Sequence, residues 1–470
     1  MAFKNVRELP VRSGNTVNII IVGDGKVGAA LAAQLSSEGH DITIIDSDPQ
    51  VLSESIEKLD VMAVTGNGAS MSVLREAGAG ETGLLIAATS LDELNLLSCL
   101  TAKKLGAKHT IARVRNPEYA DQLISMREEL GLSMTVNPEL SAAHEAYQLL
   151  QFPSFLKRES FAKGRVEIVA IPVDAGSPLA GIPLSRLYEI ARVNVLVCAV
   201  EREDGIHIPS GSFTIQTGDT LFVTAGVQDL AELVKHLKLV DRKVKNLLLI
   251  GGSRIAFYLA HRCLESGMNV KIIEREHSRC LELAEALPTA VVIESDGSRQ
   301  DVLEAEGLRR SDAVVTLTGM DEENLVLSML AGHLGVPKVI TKINRIEYTD
   351  VFRRLGIGST ISPKGLCCAH IVRYVRAMES ADGIDSVLAL HPIADGQAEA
   401  LEFLAGKDTR HCGEPLRDIP LQKGVLIACI THEGATILPR GDSRFFPGDT
   451  VIAVTAGGRT VTRLEDLFAD

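Results

Sequence analysis

One arrangement of residues occurs twice in this chain, and the repeat limits the folds open to it more than any other feature of the sequence. Residues 19–34 read IIIVGDGKVGAALAAQ and residues 247–262 read LLLIGGSRIAFYLAHR. Each is an apolar run followed by a glycine-rich turn and a segment of helical periodicity. The interval from Gly23 to Gly251 equals the interval from Asp46 to Glu274, so the second copy is in register with the first.

The repeat extends over almost the whole chain. Further matching segments are 66–78 with 295–307, 92–106 with 321–335, 111–119 with 340–348, and 208–226 with 438–457. A tandem order of N module, C module, N module and C module accounts for all of them. The predicted domains are a first N module at 17–138, a first C module at 158–242, a second N module at 246–363 and a second C module at 384–470, after a polar extension at 1–16.

Each N module alternates short β-rich runs with segments of helical periodicity. In the first, the runs lie at 18–22, 42–46, 61–65, 84–88, 109–114 and 134–137, with helices such as Gly28–Ser37 and Leu94–Leu105 between them. Crossovers between parallel strands must be helical, so this order predicts an α/β fold with a Rossmann-like, doubly wound parallel sheet. The segments 139–160 and 365–380 are predicted to be helices that leave the sheets.

Each C module has a different pattern. Short β-branched runs at 166–173, 193–200 and 220–225 are separated by turn residues and followed by a helix-like segment at 227–237. Similar runs recur at 386–393, 425–430 and 450–455. The pattern predicts two small α+β domains of roughly eighty residues each.

Composition excludes several classes of protein. The net charge of −13 argues against non-specific binding to nucleic acid or to an anionic lipid surface, since both need a basic footprint. No stretch of eighteen apolar residues could span a membrane, and the extension at 1–16 lacks the apolar core of a secretory signal. The eight cysteines include no Cys-x-x-Cys, so we expect structural thiols in a reducing cytosol rather than disulfides or metal ligands.

The first glycine loop, residues 23–28, carries the main functional signal. Gly23 allows a tight turn, Gly25 lets a pyrophosphate approach the backbone, and Gly28 lets helix and strand pack closely. The amides that open the helix, on Asp24, Lys26, Val27 and their neighbours, attract phosphate. Asp46 ends the next strand, where a carboxylate binds ribose hydroxyls and disfavours a 2′-phosphate, so NAD(H) is preferred to NADP(H). The alternative is that the glycines only make a tight turn.

Further candidates follow the other strands of the first N module. Gly66 and Asn67 come after the third strand, Thr89 and Ser90 after the fourth, and Arg113 ends the fifth. Ligands bind outside the carboxyl ends of such strands. Two alternatives stay open, because Ser90-x-x-Glu93 also fits a helix capping box and Arg113 also fits a surface charge.

The second glycine loop, residues 251–256, is degraded. Gly251 keeps the turn, but Ser253 stands where close approach of a phosphate needs glycine, and Ala256 replaces the packing glycine. Gly252, Ser253, Arg254 and Ile255 remain candidates because Glu274 still offers a carboxylate to a ribose.

Residues for catalysis are missing from the motifs. A dehydrogenase needs an acid or base near the nicotinamide, and His144 and His207 are isolated in the sequence. Metal-ligand spacings, a nucleophile elbow and a Walker loop are also lacking. The sequence therefore favours a ligand sensor over an NAD-linked oxidoreductase, which stays the alternative.

These motifs together resemble a known family. IIIVGDGKVG with Asp46, GNGASMSVLREAG, ATSLDELNLLSCLTAKKLGA and TIARVRNPEY are similar to the TrkA family, the peripheral NAD-binding components of bacterial Trk potassium uptake systems. In that family each half is a regulator-of-potassium-conductance (RCK) unit with an N and a C domain. The resemblance begins near Asn18 and leaves the extension outside.

The resemblance implies a regulatory protein rather than an enzyme. It implies a cytoplasmic homo-oligomer, usually a tetrameric gating ring, peripheral on the inner face of the cell membrane beneath a TrkH- or TrkG-type subunit, with NAD⁺ or NADH, and further ATP or ADP, as ligands. The implied binding positions are Gly23 to Val27, Asp46, Thr89, Ser90 and Arg113 in the first half, and Gly251 to Ile255, Glu274, Thr318, Gly319 and Lys342 in the second. A soluble partner of another potassium transporter or antiporter is a further alternative.

Overall fold

A computed structural model describes residues 16–151, 155–161, 166–237, 243–345, 359–380, 387–394, 397–456, 461 and 463–469. Of the predicted extension at 1–16, only residue 16 is among them. The described residues form two compact units, which are treated one at a time. The first contains residues 16–137 with His370–Val372, and the second contains the rest.

The first unit is built on a six-stranded parallel sheet. Its strands are β1 (Asn18–Val22), β2 (Asp41–Asp46), β3 (Met62–Thr65), β4 (Leu84–Ala87), β5 (His109–Arg113) and β6 (Met134–Val136). The strand order is β3-β2-β1-β4-β5-β6, so the topology reverses between β1 and β4. β4 is buried throughout and β1 in four of its five residues, as expected for strands covered by helices on both faces.

Five helices connect these strands: α1 (Lys26–Ser37), α2 (Pro49–Lys58), α3 (Met71–Glu76), α4 (Asp92–Leu105) and α5 (Pro117–Met126). α1 buries Leu31, Ala32 and Leu35 on one face, which is the helical spacing that the sequence predicts. α2 begins with Asp48 accepting the amide of Gln50 (2.9 Å) and with proline at its first position. The predicted Rossmann-like class is confirmed for this unit.

The second unit begins with a helix that the sequence assigned to a longer segment. The predicted helix at 139–160 is α6 (Pro138–Gln151), and residues 157–161 instead form β7 (Lys157–Phe161). β7 pairs with the next strand, β8 (Val166–Pro172), in an antiparallel ladder, and this pairing rather than local propensity makes it a strand. The apolar face of α6, including Ala142, Ala146 and Leu150, belongs to the core of the second N module.

The second N module repeats the first. Its strands are β12 (Asn246–Ile250), β13 (Asn269–Glu274), β14 (Val291–Glu294), β15 (Ala313–Thr316), β16 (Lys338–Lys342) and β17 (Ser359–Ile361), in the order β14-β13-β12-β15-β16-β17. Its helices are α9 (Arg254–Glu265), α10 (His277–Ala286), α11 (Gln300–Ala305) and α12 (Asp321–His333), followed by α13 (Pro363–Ser380). The strand order matches that of the first sheet position by position.

The two C modules also share one topology. The first has β7, β8, β9 (Leu196–Arg202), β10 (Gly205–His207) and β11 (Thr220–Gly226), with α7 (Leu187–Ala191) and α8 (Val227–His236); the second has β18 (Val387–Ile393), β19 (Ala398–Leu404), β20 (Val425–His432), β21 (Ala435–Ile437) and β22 (Thr450–Ala456). The orders are β10-β9-β11-β8-β7 and β18-β19-β22-β20-β21. One face of each sheet contributes to a shared core that includes Ala170, Phe222, Ala400 and Ile452. The predicted small α+β modules are confirmed.

Two general expectations concern cysteines and membranes. Seven of the eight cysteines are buried and Cys412 is partly exposed, and all carry free thiols. Burial raises the pKa of Cys198 to about 12. Within the described ranges, no helix combines the length and the apolar character that crossing a membrane requires.

Candidate functional site

The first glycine loop needs glycine at two positions for reasons visible in the backbone. Gly23 has φ +95°, and its amide donates to the Ile45 carbonyl at 2.7 Å. A β-carbon at position 23 would lie 2.9 Å from Thr89 Cγ2, and one at position 28 would lie 1.8 Å from the Gly23 carbonyl oxygen. The turn and the first turn of α1 therefore approach more closely than any side chain allows.

Gly25 is a glycine for a different reason. It is the N-cap of α1 with extended backbone (φ −72°), and no side chain caps the helix. A β-carbon there would meet no described atom within 4 Å beyond its chain neighbours. The structure thus leaves open space in front of the first-turn amides, at the positive end of the helix dipole. This space is what a phosphate needs.

Asp46 lies beside this opening, at the end of β2. Its carboxylate accepts the amide of Asp24 at 2.7 Å and the amide of Asp48 at 3.0 Å. These two bonds fix the carboxylate against the loop, and its oxygens keep further lone pairs for hydroxyl donors. The sequence placed Asp46 here from its spacing alone.

The Asp24 side chain points into the protein rather than into the opening. It is 3% exposed, and within the described part of the chain neither of its carboxylate oxygens has a hydrogen-bond partner of normal geometry. Burial raises the pKa of this carboxyl; the Ser55 hydroxyl opposes the rise, and the charges of Asp46 and Glu54 add to it. Only the backbone of Asp24 faces the loop opening. By contrast, Lys26 is exposed and Val27 is buried in α1.

Across the topological switch point, Thr89 is held by an asparagine that the sequence analysis did not single out. Asn95, which is fully buried on α4, accepts the Thr89 amide (2.8 Å) and the Thr89 hydroxyl (2.7 Å) on its Oδ1. Its Nδ2 donates to the Arg113 carbonyl at 2.8 Å. One side chain thereby joins the ends of β4 and β5. Arg113 is half-buried at that end.

Ser90 does not cap α4. The helix begins at Asp92 with Leu91 as N-cap and no side-chain cap, so the alternative interpretation of Ser90 and Glu93 as a capping box is wrong. The reason is that the Thr89 hydroxyl accepts the Leu91 amide (3.2 Å) and sets the entry to the helix. Ser90 is exposed, and its carbonyl accepts a hydrogen bond from the Arg115 guanidinium.

Asp92 is a second residue that the sequence analysis missed. Its Oδ2 accepts the amides of Arg115 and Asn116, both at 2.8 Å, and so holds the chain that follows β5. A signal was present, since Asp92 and Asn95 recur as Asp321 and Asn324 in DELN and DEEN. The same polar residue at the same position of both halves is the signal that would have identified Asp92 and Asn95.

The segment after β3 closes another side of the opening. The Gly66 amide donates to the Asp46 carbonyl at 2.8 Å, and a β-carbon at position 68 would lie 2.1 Å from Val22 Cγ1. Asn67 is exposed, and its Oδ1 accepts the amide of Ala69 at 2.9 Å. Gly66 therefore lies beside Asp46, and Asn67 is the next residue of the chain.

The second glycine loop keeps the turn but caps its helix with a side chain. Gly251 has φ +100° and donates its amide to the Ile273 carbonyl at 2.8 Å. Ser253 is the N-cap of α9, and its hydroxyl accepts the Ala256 amide at 3.5 Å. Arg254 and Ile255 open the helix. The serine that the sequence treats as a steric obstacle is therefore also a helix cap.

Glu274 is more fully occupied than Asp46. Its Oε2 accepts the Gly252 amide at 2.6 Å, and its Oε1 accepts the amides of Arg275 (2.7 Å) and Glu276 (2.8 Å). Lys342 is buried and donates to the Thr318 carbonyl at 2.6 Å, beside Gly319. Glu274, Lys342 and the Ser253 hydroxyl, three of the groups that the sequence proposed for a second nucleotide site, thus have internal partners.

The comparison with family models places both halves in one family. The TrkA-N domain model matches residues 19–138 and 247–363, and the TrkA-C domain model matches 168–238. The Trk system potassium uptake protein TrkA homolog of Archaeoglobus fulgidus is 32% identical over 455 residues, covering 96% of this chain and 100% of its own. Homolog 1 of Methanosarcina mazei is 34% identical over 441 residues, covering 92% and 96%.

Solved structures share the fold at low identity. The crystal structure of the GsuK RCK domain aligns with a TM-score of 0.63 at 18% identity, covering 97% of this chain and 96% of its own. The GsuK channel bound to NAD aligns with a TM-score of 0.62 at 18% identity, covering 96% and 78%.

Proposed function

Because this chain belongs to the TrkA family, we propose that it is a nucleotide-sensing regulatory subunit of a Trk-type potassium uptake system, with its first N module as the sensor. Its near-full-length relatives carry the name of that system. A protein of the same fold, GsuK, has been solved with NAD bound.

The observation that carries the proposal is the open helix N-terminus at Gly25. No side chain caps α1, and a β-carbon at Gly25 would project into unfilled space among the described residues. Asp46 is fixed beside the opening at the switch point of the sheet. An anionic phosphate and a ribose diol are the two parts of a nucleotide that this pair of features would recognise.

In this proposal the residues of the first half have distinct roles. The amides around Gly25 hold phosphates, and Asp46 accepts the ribose hydroxyls. Gly66 and Asn67 belong to the side of Asp46, and Thr89, positioned by Asn95, closes the opposite side together with Ser90 and Arg113. NAD⁺ and NADH are the proposed ligands, and ATP and ADP share the same phosphate and ribose chemistry.

We further propose that the protein works as a homo-oligomer, a tetrameric gating ring, on the cytoplasmic face of the cell membrane. Its partner would be a TrkH- or TrkG-type potassium-translocating subunit. Binding energy shifts a conformational equilibrium only through its difference between two states. The role is regulatory, so no turnover of the nucleotide is proposed.

Direct titration tests the proposal. The full chain is titrated with NAD⁺, NADH, ATP and ADP, and the titration is repeated on Gly25→Val and Asp46→Ala. We expect binding to the parent and a loss of at least about tenfold in each variant, equivalent to about 1.4 kcal/mol. The matched control is Gly176→Val, an exposed glycine that likewise has no described atom within 4 Å of a β-carbon.

Two outcomes would contradict the proposal. Failure of all four nucleotides to bind the parent would remove the sensor, and equal losses in Gly25→Val and Gly176→Val would remove the assignment to this loop. Steady oxidation of NADH by the purified protein with a small carbonyl substrate would favour an oxidoreductase instead. Co-purification with a Trk-type membrane subunit tests the partner.

A further inference from the structure

Asp24 is an acid in a place where the fold does not require one. It is the second residue of the glycine loop, its amide donates to Asp46 Oδ2 at 2.7 Å, and its side chain is 3% exposed. Among the described residues no group gives either carboxylate oxygen a hydrogen bond of normal geometry. An ionised carboxylate buried in this way is strongly disfavoured, whereas the neutral acid is tolerated.

The charged groups around Asp24 act in the same direction. Asp46 faces it from the end of β2 and Glu54 faces it from α2, and both are acids. Glu54 is exposed and lies 3.6 Å from Lys58 Nζ, which weakens its influence. The Ser55 hydroxyl on α2 is the polar, uncharged group on that side. Desolvation and two neighbouring acids together hold the pKa of Asp24 above its usual value.

The second half lacks this arrangement. The position of Asp24 corresponds to Gly252, and the position of Ser55 corresponds to Leu283. A β-carbon at 252 would lie 2.7 Å from Leu283 Cδ1, so leucine fills the space that the acid occupies in the first half. The fold therefore accepts an apolar pair here, and the Asp24–Ser55 pair belongs to the first loop alone.

We propose that Asp24 links occupancy of the first nucleotide site to proton uptake, so that the nucleotide binds best when Asp24 is neutral. This inference rests on the proposed function of the site. An ionised Asp24 would repel the phosphates held by the adjacent amides, in a poorly screened environment. Binding therefore favours the protonated acid, and by linkage the affinity rises as pH falls, until the acid is already neutral in the free protein.

Calorimetry on the full chain tests the link. NAD⁺ is titrated into protein carrying Glu274→Ala, which removes the second site's carboxylate, in buffers of different ionisation enthalpy between about pH 5 and about pH 7.5. We expect uptake of up to one proton per nucleotide and an affinity that rises by up to about tenfold per pH unit on acidification. In Asp24→Asn, which keeps the shape and stays neutral, uptake should vanish and affinity should stay high throughout.

A second variant keeps the test independent of whether Asp24→Asn folds. Asp24→Gly combined with Ser55→Leu installs the pair found in the second half, and it should also bind without proton uptake. Asp46 is present in parent and variants, so the comparison isolates the changes at positions 24 and 55. Proton uptake by Asp24→Asn equal to that of the parent would overturn the link, as would binding to the parent without uptake. Absence of any NAD⁺ binding would instead overturn the proposed function, and the link with it.

Discussion

The two glycine loops are built on the same strand order, yet they leave their helix N-termini in different states. In the first, Gly25 is the N-cap of α1 and no side chain caps the helix, while the Asp46 carboxylate accepts two amides. In the second, Ser253 caps α9 and Glu274 accepts three amides. In the first loop the helix amides have no side-chain acceptor, whereas in the second the Ser253 hydroxyl accepts the Ala256 amide.

The difference shows that one fold accommodates both an uncapped and a side-chain-capped helix N-terminus. The turn glycine survives in both halves because φ near +100° and crowding by the neighbouring strand end demand it. Gly25 and Gly28 are not kept, because Ser253 and Ala256 stand at the corresponding positions of the second half. The turn glycine is therefore present twice, and the uncapped helix start is present once.

The largest effect should follow from placing the second half's alanine in the first loop. Gly28→Ala puts a β-carbon 1.8 Å from the Gly23 carbonyl oxygen, so turn or helix must move. We expect a loss of about 3 kcal/mol of stability, at the upper end for overpacking, together with loss of nucleotide binding. Hydrogen exchange of β1 and α1 measures the first, and titration with NAD⁺ measures the second.

The reverse change is the control. Ala256→Gly should cost only about 1 kcal/mol, the helix propensity difference, because no close approach is created. Similar losses in both variants would show that the two loops follow the same path, against the comparison drawn above.

A somewhat smaller effect is expected at Asn95. Asn95→Ala leaves the Thr89 amide without its acceptor and the Arg113 carbonyl without its donor, at a cost of about 1–3 kcal/mol. Asn324→Ala removes the equivalent bonds to Thr318 and Lys342 and should cost as much. Only Asn95→Ala should also weaken NAD⁺ binding at the first site. Equal loss of binding in both variants would mean that the second site is active.

Local pattern predicted most of the fold and the backbone of the site. β1 and the two glycine turns lie where their residues predict, since apolar period, turn glycines and an acidic strand end are local signals. The capping box at Ser90 failed because Thr89 and Asn95, which meet only in the folded structure, set the start of α4. β7 was missed because an edge strand of mixed polarity is defined by its partner β8.

Reopening the second loop should have a moderate effect on affinity and little on stability. Ser253→Gly removes the cap at a cost of a few tenths of a kcal/mol and frees the Ala256 amide. One amide hydrogen bond to a charged phosphate should raise the affinity of the second site by about tenfold. The measurement is titration with NAD⁺ in an Asp46→Ala background, where the first site is weakened.

Ser253→Ala separates two causes of closure. It removes the hydroxyl but keeps the β-carbon, so a gain equal to that of glycine would assign the closure to capping. A gain with glycine alone would assign it to steric exclusion. No gain in either variant would place the closure elsewhere, with Gly252, Leu283 and the fully bonded Glu274 as the remaining differences.

The C modules repeat the comparison with a titratable group. Arg202 in the first binds Asp219 through two bonds of 2.7 and 2.8 Å, and His432 stands at the equivalent position of the second, 2.6 Å from Asp449. The Asp449 carboxylate raises the pKa of His432 through a hydrogen bond and through its charge. The Arg202 guanidinium is charged at any physiological pH, whereas the attraction in the second pair depends on protonation of His432.

The smallest predicted effect is therefore a pH dependence confined to the second C module. A histidine whose pKa is raised by folding stabilises fully below its unfolded pKa of about 6.5, and the contribution is lost as pH rises through the folded value. In His432→Arg the pair stays charged, so the loss should disappear. For amides in β20 and β22, the exchange rate of the variant is divided by that of the parent at each pH. This ratio should fall as pH rises, because only the parent loses stability. A constant ratio would show that this half-buried pair contributes nothing measurable.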